Sequence, residues 1–135
     1  MDLGGFVEGL TAFYPFRIVG VLPTAPAVFD AGQMQQLVIN LLKNAHEAGG
    51  DPADVTLAIQ RATGGELEIS VSDGGEGMPD AIMHGAILPF SSAKPNGMGV
   101  GLALCNEIVV AHGGRLSIRS RVGAGTTVTC ILPAA

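Results

Sequence analysis

The feature that most restricts the fold is a change of hydrophobic period along the chain. Met34, Leu37, Val38, Leu41, Leu42 and Ala45 recur at the i, i+3, i+4, i+7 spacing of a buried helix face, and Asp30 followed by Gln33 reads as a capping box at its start. This helix stops at Gly49-Gly50. Beyond it the period falls to two: Val55, Leu57 and Ile59 alternate with polar or small residues, as do Leu67, Ile69 and Val71, and Gly64-Gly65 joins the two runs as a hairpin turn. Leu116 and Ile118, then Val128, Cys130 and Leu132, repeat the alternation around a turn at 122–125. A helix over 99–112 separates the two hairpins. A short helix opens the chain, with Asp2 capping Leu3, Phe6, Val7, Leu10 and Phe13 and an end near Pro15, and a β-rich run follows over 17–22. Hairpins mixed with helices, rather than strict strand–helix alternation, predict an α+β fold. Its form would be a two-layer α/β sandwich, with a mixed, mostly antiparallel sheet of about five strands covered on one face by about three helices.

Composition narrows the function classes. The 135 residues suit one domain over 1–135, and no low-complexity or single-sign charged run divides them. Although 47% of residues are hydrophobic, no apolar run approaches the roughly 18 residues of a membrane span and no signal-peptide pattern opens the chain. A soluble, cytoplasmic domain without direct membrane contact is expected, whether or not a parent protein is membrane-anchored. The net charge of -5 with only 7 Lys and Arg argues against a nucleic-acid partner. Cys105 and Cys130 lie in apolar patterns without C-x-x-C spacing, which predicts buried, reduced thiols.

Three polar elements stand out against this frame. On the central helix Gln36, Asn40, Lys43, Asn44 and Glu47 share one face. That pattern alone is ordinary amphipathicity, but two amides one turn apart are weak helix formers where Lys or Glu would serve better. At the end of a predicted strand, Ser72 to Met78 places an acceptor, Asp73, before Gly75 and Gly77, whose missing side chains would admit a flat ring. Finally, Asn96 to Leu102 holds a G-x-G-x-G that opens a helix, where unpaired N–H groups and the helix dipole favour an anion. It is neither a Walker motif nor a dinucleotide fingerprint.

In this order the elements resemble the Bergerat-fold ATPases, a superfamily of histidine kinases, type II topoisomerase subunits, heat-shock chaperones and mismatch-repair ATPases. Residues 36–48 look like the N box, Asp73 to Gly77 like the G1 box, Pro89 to Ser92 like the F box and Gly97 to Leu102 like the G2 box. The tail, from Ala111-His112-Gly113-Gly114-Arg115 through Gly123-Ala124-Gly125-Thr126-Thr127 to Leu132-Pro133, is similar to that of histidine kinase catalytic domains. The hydrolysing branches carry a glutamate base four residues before the metal-binding asparagine. Here that position is Asn40, which fits a kinase whose nucleophile is a neutral imidazole.

The resemblance implies ATP and Mg²⁺ as cofactors, with Asn44 as metal ligand and Asn40 near the phosphates. Asp73, supported by Thr126, would receive the adenine amine, while Gly97, Met98, Gly99, Val100, Gly101 and Leu102 shape the phosphate loop. It further implies Lys94 as a phosphate-neutralising residue and Glu47 as holder of a metal-bound water, with Lys43, Gly75, Gly77, Met78, Phe90 and Ser92 lining the nucleotide site. Asn44, Asn40 and Lys94 would be the catalytic set, and 79–96 the ATP lid. Two departures are visible: Gly74 follows Asp73 where the family often has asparagine, and Phe90-Ser91-Ser92-Ala93-Lys94 lacks the usual second Phe and a Thr, implying a more mobile lid.

The acceptor histidine is expected elsewhere. His46 is followed by Gly49-Gly50 and Pro52, which end any long acceptor helix, His84 lies in the lid, and His112 suits a helix cap. The expected partners are a dimerisation/phosphoacceptor helical hairpin of the same parent protein, to which residues 1–14 would connect, and indirectly a response regulator. The isolated domain should be a monomer. The rival expectation is an adaptor that keeps the fold and has lost phosphotransfer; a free-standing ATPase is disfavoured by Asn40.

Overall fold

A computed structural model describes residues 3–11, 16–20, 31–47, 50–62, 64–75 and 98–133. The chain runs through α1 (Leu3–Leu10), β1 (Arg17–Ile18), α2 (Ala31–Glu47), a 3₁₀ turn (Pro52–Asp54), β2 (Thr56–Arg61), β3 (Leu67–Asp73), α3 (Met98–Ala111), β4 (Arg115–Arg121) and β5 (Gly125–Leu132). The strands form one sheet in the order β1-β2-β3-β5-β4. β1 pairs parallel with β2 and every other pairing is antiparallel.

Alternation along the strands sorts the sheet into two unlike faces. On the helix-covered face, one row across the sheet is Leu57–Val71–Val128–Ile118 and the next is Ile59–Ile69–Cys130–Leu116. Against these rows pack Leu37, Val38, Leu41 and Leu42 of α2 and Ile108 and Val109 of α3, and Val7 and Leu10 of α1 join the same core beside α2. Each fully buried Leu or Ile there contributes about 1.5–3 kcal/mol over an exposed one. The opposite face is polar. Ser70 and Thr129 hydroxyls lie 3.1 Å apart, those of Ser72 and Thr127 2.9 Å apart, and Gln60 donates to Glu68 at 3.0 Å.

The helix boundaries follow from local chemistry. The first helix stops at Leu10, short of the predicted end, because the Thr11 hydroxyl and N–H both turn back to the Glu8 carbonyl, at 2.7 and 3.3 Å. Phe13, Pro15, Asp2 and Asp30 lie outside the described residues. Of the predicted run over 17–22, the described residues 17–20 are paired at Arg17 and Ile18, and 21–22 lie outside the described residues. Val19 still donates to the Leu57 carbonyl at 2.9 Å, and the chain is out of the sheet by Gly20. α3 ends in a Schellman motif: Gly114 N–H reaches Val109 and Gly113 N–H reaches Val110, both at 2.9 Å, with Gly113 at φ 79°. The His112 ring Nδ1 lies 2.8 Å from the Ile108 carbonyl, so this histidine caps the helix as its position predicts. His46 is half-buried on α2. Cys105 and Cys130 are free and fully buried.

Candidate functional site

The polar side of α2 is unevenly wet. Gln36 and Lys43 are exposed, Asn40 and Glu47 half-buried, and Asn44 only 5% exposed. Asn44 is therefore not part of a solvated helix face. Its Nδ2 is buried without a hydrogen-bond partner, a state that costs about 1–3 kcal/mol when nothing else meets the group. Half a turn of the terminal amide exchanges nitrogen and oxygen, so the same position can present an oxygen, the ligand type that magnesium takes. Among the described residues no three His, Cys, Asp or Glu side chains gather as a metal cage. A lone amide fits a magnesium ion that arrives with phosphate oxygens, since such ions take one or two protein ligands.

One and two turns earlier, Asn40 and Gln36 line an open groove of about 390 Å³ with Gly32, Gln35 and Ile39, and Leu104 of α3 forms its other wall. α3 itself begins at Met98. Met98, Gly99, Val100, Gly101 and Leu102 thus form the first turns of a helix, and the predicted phosphate loop is largely helical here. The first four N–H groups of such a helix have no intrahelical partner, and its dipole is positive at that end. Gly77, Met78, Phe90, Ser92, Lys94 and Gly97, with His84 and the whole of 79–96, lie outside the described residues.

Asn44 and Asp73 are brought to the same end of the molecule. α2 packs across β3, and just past the helix the α-carbon of Gly50 abuts the loop after Asp73. A Cβ on Gly50 would lie 2.5 Å from Gly74 C, 2.6 Å from Gly74 O and 2.7 Å from Gly75 N. Asp73 ends β3, and its Oδ1 accepts the N–H of buried Gly75 at 2.8 Å, which shapes that loop as an Asx turn. From the β5 side, Gly125 at φ 86° comes so close that an added Cβ would strike the Asp73 carbonyl oxygen.

Across the sheet from Asp73 stands Thr126, 7% exposed, and across from Thr126 stands Ser120. The two hydroxyl oxygens are 2.9 Å apart, and Ser120 also donates to the Gly125 carbonyl at 3.2 Å. In the two neighbouring rows on this face these three strands carry apolar side chains. Here all three turn polar at once.

Residues 29–135 match the family described as histidine kinase-, DNA gyrase B- and HSP90-like ATPases. The chain belongs to this family. It is similar to the C4-dicarboxylate transport sensor protein DctS of Rhodobacter capsulatus, with 38% identity over 120 residues covering 86% of this chain and 18% of DctS. The adaptive-response sensory kinase SasA of Parasynechococcus marenigrum is 37% identical over 114 residues, covering 80% of this chain and 30% of SasA. The chain thus spans less than a third of the length of these curated relatives. Among solved structures, the nucleotide-free catalytic domain of histidine kinase ThkA superposes with a TM-score of 0.83 at 22% identity, covering 98% of this chain and 93% of that one. Full-length ShkA in complex with AMPPNP gives 0.81 at 23% identity, covering 100% of this chain and 30% of ShkA. The fold is that of histidine kinase catalytic domains, and the chain is an ATP-binding domain of that branch.

Within this histidine kinase-like ATPase domain, geometry accounts for one departure from the family pattern. A Cβ at Gly74 would lie 2.8 Å from Asp54 Oδ2 and 3.2 Å from Asp54 Cβ. The exposed side chain of Asp54, on the 3₁₀ turn, would have to shift to admit a side chain at 74. Gly50, Asp54 and Ser120 escaped the reading of motifs because none belongs to a box. For Ser120 a signal existed, since it takes the inward position after Leu116 and Ile118, where alternation calls for a third apolar residue.

Proposed function

We propose that the domain binds Mg²⁺-ATP at the end of the sheet to which the C-terminal part of α2 brings Asn44 and β3 brings Asp73, and presents the γ-phosphate to a histidine on a separate dimerisation/phosphoacceptor hairpin. The observation that carries this reading is Asn44: a buried amide on a helix interior, with an atom that no protein group satisfies, is costly to keep unless a ligand meets it. Magnesium, when bound, would neutralise charge on the phosphate oxygens. Asn44 would hold it through the amide oxygen, and Asn40 would face the phosphate side from the wall of the groove. The N-terminal N–H groups of α3, from Met98 to Gly101, would take phosphate oxygens, with Gly97 and Lys94 contributing from the preceding segment.

Asp73 would accept the exocyclic amine of adenine, with Thr126 beside it. Gly75, Gly77, Met78, Phe90, Ser92, Lys43 and Glu47 complete the proposed site, and 79–96 is its lid. No glutamate base stands at position 40. The domain therefore contributes position and charge, while the attacking imidazole comes from the partner hairpin. In the parent protein, the phosphoryl group would pass on to a response regulator in the cytoplasm.

Calorimetric titration with a non-hydrolysable ATP analogue, with and without Mg²⁺, tests the reading on wild type, Asn44→Ala and Asp73→Asn. Wild type should bind in a magnesium-dependent way. Asn44→Ala should abolish most of the magnesium dependence, and Asp73→Asn should weaken binding at least tenfold, as expected when a half-buried charged acceptor is removed. Binding that ignores magnesium, or no binding at all, would favour an adaptor domain that has lost phosphotransfer.

A further inference from the structure

β4 is the long edge of the sheet. It closes the order β1-β2-β3-β5-β4, runs from Arg115 to Arg121 and pairs with β5 residue by residue without a bulge, whereas the opposite edge, β1, is two residues long. Among the described residues no strand covers its outer flank, so the N–H and C=O groups on that side have no ladder partner. Charge picks out the same strand. The chain has 7 Lys and Arg against 12 Asp and Glu, yet three of the seven, Arg115, Arg119 and Arg121, stand on β4, and 108–135 contains no Asp or Glu. Arg115, Ser117 and Arg119 are exposed and alternate with half-buried Leu116 and Ile118. Arg115 meets Glu66 at 3.5 Å in an exposed pair, a kind of contact that is worth little and readily exchanged. The Arg119 side chain has no hydrogen bond or ion pair among the described residues.

We propose that β4 is a docking edge for an extended acidic segment of a partner protein, which adds a further strand to the sheet. The unpaired backbone groups call for a strand rather than a helix, because only an extended segment can continue the ladder. Carboxylates at every second residue of that segment stand beside Arg115 and Arg119, and opposite charges across a strand pair stabilise it. The apolar residues between them cover Leu116 and Ile118, which β5 alone leaves half-buried. A second copy of this chain does not fit, because β4 against β4 sets arginine beside arginine, and like charges across a pair are destabilising. A nucleic acid or an anionic membrane would use the arginines without the backbone edge, so dependence on strand pairing separates those partners from an acidic peptide.

The test is a nuclear magnetic resonance titration of the isotope-labelled 135-residue chain with a peptide of alternating glutamate and valine, matched in length to β4, at low salt and without nucleotide. Amide resonances of 115–121 should shift, and their hydrogen exchange should slow. Arg119 is exposed, so its variants should keep the fold. Arg119→Ala should weaken binding about two- to fivefold, and Arg119→Glu, which turns attraction into repulsion, about tenfold. Arg17→Glu makes the same charge change on the opposite edge and should stay within about twofold of wild type. The same peptide with every backbone amide N-methylated keeps its charge and should lose binding. Equal affinity for the N-methylated peptide would make the contact purely ionic and overturn strand addition. A response centred away from β4, indifference to Arg119→Glu, or no binding would overturn the docking edge altogether, and none of these results bears on nucleotide binding.

Discussion

Gly125 meets two demands that no other residue type satisfies together, and replacing it by alanine separates them from ordinary turn strain. Its φ of 86° costs an L-residue about 1–2 kcal/mol. An added Cβ would also collide with the Asp73 carbonyl oxygen and come within 3.2 Å of the Gly74 α-carbon. Both are backbone atoms, so relief requires β5 or the end of β3 to move, and overpacking of this kind costs about 1–3 kcal/mol more. The sum is about 2–5 kcal/mol, a drop in Tm on the order of 10 °C for a domain of this size.

Gly123→Ala supplies the control. Gly123 shares the left-handed φ, at 80°, but an added Cβ there meets nothing within 4 Å. It should lose only the strain, about 1–2 kcal/mol, and leave nucleotide affinity intact. Gly125→Ala should lose more stability and also weaken binding of the ATP analogue about tenfold or more, because the displaced atoms carry the Asp73 carboxylate. Circular-dichroism melts and calorimetric titrations on the two variants give the comparison. Equal stability losses, or a destabilised Gly125→Ala that binds nucleotide like wild type, would refute the close packing of Asp73 against β5 as a determinant of the site.

Gly50→Ala should weaken nucleotide binding and lower Tm, since its Cβ would lie 2.5–2.7 Å from the Gly74–Gly75 backbone, whereas Gly64→Ala, with nothing within 4 Å, should stay within about 0.5 kcal/mol of wild type; urea unfolding of the two variants decides it. Burial pushes the Cys130 thiol up from 9.0 to about 12 and raises Cys105 further, with the nearby Cys130 adding to it. Because both thiols ionise more readily in the unfolded chain, their contribution to stability is complete below pH 9 and is lost as the pH climbs toward 12. Urea midpoints should fall between pH 8 and pH 10.5, more steeply for wild type than for Cys130→Ala, and iodoacetamide should alkylate the native protein at pH 8 far more slowly than the unfolded one.

The elements that the sequence discloses are those whose side chains face one environment along their whole length. Leu37, Val38, Leu41 and Leu42 keep one buried stripe, and Leu67, Ile69 and Val71 keep one buried face, so period alone locates α2 and β3. Ends are harder to read because they depend on single hydrogen bonds: the Thr11 hydroxyl shortens α1, and nothing in its type distinguishes a back-bonding threonine from a helical one. Asn44 was legible as a polar residue in a motif, but its burial was not, since a helical wheel places it beside exposed Lys43 and half-buried Glu47. The approach of Gly50 to Gly74 joins segments more than twenty residues apart, and no periodicity records such a contact. The row Asp73–Thr126–Ser120 was present in the alternation of three strands, yet it becomes visible only when register is known, because each strand alone shows merely one polar residue at an inward position near its end.

Asp73 sits on β3, which has a strand on either side, whereas β1 and β4 form the edges. A strand bonded on both flanks releases its amides to solvent only when the sheet itself opens, so exchange in the interior of β3 should be among the slowest in the domain, while Asp73, at the strand end, is paired with β5 alone. The backbone of Asp73 is held through β5 and through the close approach of Gly125, so the alignment of the proposed base acceptor would add little ordering entropy to association. Ligands that share a base would then differ in affinity through what their phosphates meet, around Asn44, Asn40 and the start of α3.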